Sequence, residues 1–237
     1  LLISKEKVEL SASICKTDLT SDLVSEFPEL QGIMGGYFSA NQGFDKDISL
    51  ALTEQYLPIG LNSKVPKKPF SVALSLTDKI DSLVGFFGIN ERPTSSKDPL
   101  ALRRTALGII RIIIENKKDL KVSDLLSYSL SLYEDQGFYL VNKNLLKELH
   151  NFLKDRFRYY LKEKEIRFDI IEATISSFSL NRLFSSFEKA RCLNKIINSQ
   201  IGVDIISSYK RASNILENEM KSNEIEIDDT TDPGIFK

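Results

Sequence analysis

A chain of 237 residues, 27% charged and 42% hydrophobic, has the composition of an ordinary folded protein of one large domain or two small ones. Its formal net charge of −1 excludes global basicity, so any contact with RNA must come from a local patch. Two cysteines, Cys15 and Cys192, make no disulfide framework, and the longest apolar run, Leu107 to Ile114, is interrupted by Arg111 and too short to span a bilayer.

A reducing, cytoplasmic setting is therefore expected, with no membrane partner and no secretory leader. The chain opens on Leu-Leu and closes on "TDPGIFK", which reads as a piece of a larger protein. In chain order, residues 4–26 predict helix, with Leu10, Ile14, Leu19 and Leu23 at helical spacings. "EFPELQGIMGGYFS" (26–39) carries Pro28, Gly32, Gly35 and Gly36 and predicts a turn between helices. A second helix is expected over 45–55, then a proline-rich connector over 56–69, then a helix over 70–87.

The stretch "SSKDPLALRRTALGIIRIIIE" (95–115) predicts the next helix, with Asp98 as N-cap and Pro99 at the first helical position. From Leu120 onward the helices become amphipathic, and across 143–167 eight Lys/Arg face four Asp/Glu. The segment 217–229 reverses the sign, with six acids against Lys221, and predicts a solvated linker or tail. No strand pattern of convincing length occurs, so the fold class expected is all-α.

Catalytic constellations are scarce. His150 is the single histidine, so no multi-histidine metal site can form, and no phosphate-binding glycine loop with its lysine occurs. Asp18 and Asp22 share one helical face, as do Asp78 and Asp81; such carboxylates hold a hard cation, pair with Lys16, Lys79 and nearby arginines, or cap helices. Arg104, Gly108 and Arg111 also share a face. Glycine there costs about 1 kcal/mol against alanine, which asks for a close approach by a neighbouring helix or a ligand. Spacing alone leaves these arginines open between phosphate binding and pairing with Asp78, Asp81 or Asp98. A second basic pair, Lys210 and Arg211, sits in "YKRASNIL".

The ordered motifs "CKTDLTSDLVSEFPELQGIMGGYFS", "VALSLTDKIDSLVGFFGI", "PTSSKDPLALRRTALGIIRII" and "YKRASNIL" resemble the β subunit of bacterial glycyl-tRNA synthetase of the α2β2 type. The resemblance implies an HD-like helical domain over 1–117, a helical region facing tRNA or subunit over 118–216, and the acidic tail over 217–237. It implies a subunit of an ATP-dependent glycine–tRNA ligase whose partners are the α subunit and tRNA-Gly, with no DNA. ATP and Mg would be used through the α subunit, with no cofactor or metal held by this piece. Asp18 and Asp78 look like remnants of an HD-type metal site without its histidines, so no catalytic residue is expected. Lys97, Arg103, Arg104, Arg111, Lys210 and Arg211 are the candidates for tRNA phosphate contact. Two other classes remain: a metal-dependent phosphohydrolase using Asp18 and Asp78, and a helical module that contacts protein alone.

Overall fold

The computed structural model describes residues 4–197 and 199–223, and among them every regular element is helical. The helices are α1 (Lys5–Ile14), α2 (Asp22–Glu26), α3 (Ile33–Asn41), α4 (Lys46–Glu54), α5 (Pro69–Gly88), α6 (Leu102–Glu115), α7 (Val122–Asp135), α8 (Leu145–Glu163), α9 (Phe168–Ser176), α10 (Leu183–Ile197) and α11 (Gln200–Asn223). The all-α expectation holds. One compact unit covers residues 1–190 and a second covers 191–237. The packing thus does not break near residue 117. Helices α7 and α8 lie against α5, and α8 also lies against α6, so residues 118–190 of the expected second region pack in the same unit as the first, while 191–216 fall in the second unit. The expected acidic tail begins inside α11, which is helical to Asn223, and its remainder lies outside the described residues.

α5 and α6 form the centre of the first unit. In α6, Leu102 and every residue from Ala106 to Ile114 are buried, including Ile109, Ile110, Ile112, Ile113 and Ile114. Isoleucine is a mediocre helix former. Burial of an apolar side chain, at about 1.5–3 kcal/mol each, overrides that preference. α5 brings Leu83, Val84 and Phe87 to this core, and α8 brings Leu149, Leu153, Phe157 and Leu161. The Phe87 and Phe152 rings meet with centroids 5.0 Å apart. A smaller cluster of Ile48, Ala51, Leu52 and Phe70 joins α4 to α5.

Three local expectations change. The helix expected over 4–26 is broken at Lys16, whose φ of +64° stops α1 and starts a 3₁₀ turn at Thr17–Thr20. The turn expected over 26–39 is helical from Ile33, where α3 begins and runs to Asn41. Its glycines are packing residues: a Cβ on Gly36 would lie 1.8 Å from Thr53 Oγ1 and 3.0 Å from the Ser49 carbonyl oxygen, so α3 and α4 touch backbone to backbone. Gly36→Ala is expected to cost about 1–3 kcal/mol by overpacking. Urea unfolding checks this, and Thr53→Ala in the same chain should recover part of the loss. Finally, α6 begins at Leu102 rather than Pro99. Asp98 does cap it, accepting from the Leu102 and Arg103 amides at 2.9 and 3.0 Å, but through a turn that puts Ala101 at φ +54°.

Candidate functional site

A cleft of about 600 Å³ opens where α5, the start of α6 and the connector after α4 meet. Tyr56, Pro58 and Ile59 line it from the connector, Asp78, Lys79 and Ser82 from α5, and Arg104 and Thr105 from α6. Glu29 and Gln31 close it from the turn before α3.

Beside this cleft Asp18 is 1% exposed. Its carboxylate accepts the Gly32 amide at 2.6 Å and the Tyr56 hydroxyl at 3.1 Å. Burial raises the Tyr56 phenol well above its ordinary range; Gln31 works against this, and the Asp18 charge adds to it. Tyr56 therefore stays protonated and keeps donating. Asp18 is a strut joining the α1–α2 segment to α3 and to the connector.

Asp78 is engaged differently: it forms an ion pair with Lys16. Burial works to lower the Lys16 ammonium, but its hydrogen bond to Asp78 and the Asp78 charge outweigh this and leave it raised. A hard cation needs several free oxygen ligands. One candidate carboxylate here is filled by neutral donors and the other by an ammonium. Among the described residues no group of three or more His, Cys, Asp and Glu comes together. His150 lies elsewhere, on α8, edge-on to Phe178 with ring centroids 5.4 Å apart. This donor set does not fit an HD-type metal.

Lys79 answers the question of Gly108. A Cβ at Gly108 would lie 2.9 Å from Lys79 Cε, so the glycine makes room for the stem of a lysine reaching inward from α5. Lys79 is 5% exposed and donates to Ser75 Oγ at 2.9 Å and to the carbonyls of Tyr56 and Gln55 at 3.3 and 3.4 Å. Burial pulls its ammonium from 10.5 down to about 8; Asp78 opposes this and Lys16 reinforces it. The unfolded chain binds the extra proton between those two values, so this group adds stability as pH rises from about 8 towards 10. An NMR titration of the Lys79 ammonium should give a midpoint near 8, and a midpoint above 10 contradicts the burial argument.

The sequence offered Lys79 only as a partner for the aspartates, whereas it donates to Ser75 and to two carbonyls, and Tyr56 carried no expectation. The signal for Lys79 was present: it stands three residues after Leu76 and four before Leu83, on the apolar face of α5.

The candidate RNA-contacting cations separate. Arg111 is 6% exposed. Its guanidinium donates to Glu115 at 2.8 Å, to the Ser63 carbonyl at 2.7 Å and to the Gly60 carbonyl. It ties α6 to the connector and leaves the set of phosphate candidates. Arg104 is exposed at the cleft rim and makes no ion pair or hydrogen bond among the described residues. Arg103 is half-buried and donates to the Thr94 carbonyl; Lys97 is exposed in the same loop. Lys210 and Arg211 are exposed on α11, in the second unit.

A model of the glycyl-tRNA synthetase beta subunit family matches residues 1–176. The chain belongs to that family. It is 43% identical over 207 residues to the glycine–tRNA ligase beta subunit of Rickettsia canadensis, covering 87% of this chain and 30% of that protein. The corresponding subunit of Rhodospirillum centenum is 38% identical over 92% of the chain and 30% of its own length. That of Rickettsia typhi is 37% identical over 95% of the chain and 32% of its own length. The chain thus spans about a third of the length of these beta subunits. Among the described residues of this beta-subunit chain, no helix is long and apolar enough to cross a membrane.

Proposed function

We propose that this chain is a non-catalytic helical portion of the β subunit of a glycine–tRNA ligase, which holds tRNA-Gly and supports the α subunit. Glycine and ATP would react elsewhere in the assembly, on the α subunit, with Mg serving there. The observation that carries the proposal is family membership joined to Arg104, an exposed arginine without a partner among the described residues, on a helix whose other face is buried. A guanidinium fixed by such a helix suits phosphate oxygens, because its fork is planar and permanently charged. Contacts of this kind position RNA and do not read bases. Asp18 and Asp78 take no chemical part: each has a protein partner that a phosphohydrolase's metal would have to displace.

The test is tRNA affinity across a salt series, using the full-length β subunit assembled with α. Arg104→Ala should leave stability within about 0.5 kcal/mol of the parent, as for surface substitutions generally. It should reduce the salt slope of tRNA-Gly binding by about one. An unchanged slope and affinity would remove Arg104 from the interface. An assembly that binds tRNA-Gly no better than an unrelated tRNA would contradict the proposed positioning role.

A further inference from the structure

We infer that a lysine cluster at the far end of α6 is a second RNA-backbone surface, made by Lys64, Lys67, Lys68, Lys117, Lys118 and Lys121. The inference rests on the proposal above that this chain holds tRNA. The six residues come from two short stretches, "KVPKKP" (64–69) and "NKKDLK" (116–121). Tertiary contacts join the two. Lys67 Nζ donates to the Glu115 carbonyl at 2.8 Å, and Asn116 donates to the Pro66 carbonyl at 3.1 Å. Lys67 and Lys118 line one groove of about 310 Å³, floored by Val72, Leu76 and Ile112.

All six lysines are exposed, and none forms an ion pair among the described residues. The two acids nearest in sequence are already engaged: Glu115 holds Arg111, and Asp119 accepts the backbone amides of Phe184 and Ser185 and the Ser185 hydroxyl. Cations near a helix C-terminus complement its dipole, and Lys67 serves that purpose directly. That need accounts for one or two lysines, not six. In a chain of net charge −1, such a concentration of uncompensated charge is an electrostatic footprint for a polyanion. Lysine supplies point charges without a planar fork, which suits a phosphate track bound for its charge. α6 is about 21 Å long, so this surface and the Arg104 edge at its other end would meet different phosphates. Their effects should be separable and nearly additive.

The experiment uses the full-length β subunit assembled with α and a tRNA-Gly transcript over a potassium chloride series. The variant is Lys64→Gln, Lys68→Gln, Lys117→Gln and Lys118→Gln together. Among the described residues none of these side chains makes a hydrogen bond or ion pair, so the variant's thermal midpoint should match the parent. If each lysine meets a phosphate, the slope of log affinity against log salt should fall in magnitude by about three to four, with affinity at low salt weakened at least about tenfold. A parent that binds steeply beside a variant with the same slope and affinity overturns the lysine surface and leaves the tRNA proposal standing. A parent that does not bind tRNA overturns both. A variant that sheds the α subunit while keeping its tRNA slope marks a protein interface instead, and also overturns the inference.

Discussion

Replacing Arg111 by alanine is expected to destabilise the fold by about 3 kcal/mol, the low end of the cost of breaking a buried charge pair. From α6 the guanidinium donates to two carbonyl oxygens of the connector, those of Gly60 and Ser63, the first of which also accepts the Ser63 hydroxyl. Alanine leaves the Ser63 carbonyl without that donor, cuts the tie between α6 and the Gly60 turn, and removes the ion-pair partner of Glu115. For a chain of this size the thermal midpoint should drop by roughly 6–12 °C. Arg111→Lys keeps the charge but cannot reproduce three divergent donors from a planar group, so it should restore less than half of the loss. Thermal unfolding of the three proteins checks the series. A variant as stable as the parent would mean that the connector is held by other contacts.

Asp18→Ala is expected to be comparably costly, about 3–4 kcal/mol, for a different reason. Removing the carboxylate leaves the Gly32 amide and the Tyr56 hydroxyl without an acceptor in a site that is 1% exposed. Each stranded buried group costs about 1–3 kcal/mol. Asparagine separates a strut from a metal ligand. Its amide oxygen accepts from Gly32, and its amide nitrogen donates to the Tyr56 oxygen, so Asp18→Asn should lose only about 1 kcal/mol. Urea unfolding measures both variants. If asparagine proved as damaging as alanine, the negative charge itself would matter, and the strut account would fail.

The parts of the fold legible in the sequence were those set by local chemistry. The helix expected over 45–55 forms as α4, and that expected over 70–87 forms as α5 to within one residue at each end. The Gly35–Gly36 pair was misleading because glycine breaks an isolated helix yet also lets two helix backbones touch, and only the Thr53 side of the contact distinguishes these. Arg104 and Arg111 share a helical face, and spacing left both open between phosphate binding and carboxylate pairing. Their environments differ because residues 60–63 cross that face at the end of α6 alone. The aspartates show the same limit: spacing placed Asp18 and Asp78 on helical segments, while their partners Gly32, Tyr56 and Lys16 come from other turns of the chain. The lysine surface escaped notice because its halves lie about 50 residues apart in sequence and neither is dense enough alone to mark a patch.

The central claim is that this portion of the β subunit serves tRNA binding and not chemistry at Asp18 and Asp78. The most direct measurement is steady-state glycylation of tRNA-Gly by the full αβ assembly, comparing the parent with Arg104→Ala and Asp18→Asn. The account predicts that Arg104→Ala raises KM for tRNA about threefold to tenfold, as expected for one phosphate contact worth about 1 kcal/mol. In that variant kcat and the KM values for glycine and ATP should stay unchanged, and Asp18→Asn should alter none of them. A fall in kcat with folded Asp18→Asn, or an Arg104→Ala enzyme whose KM for tRNA matches the parent, would contradict it.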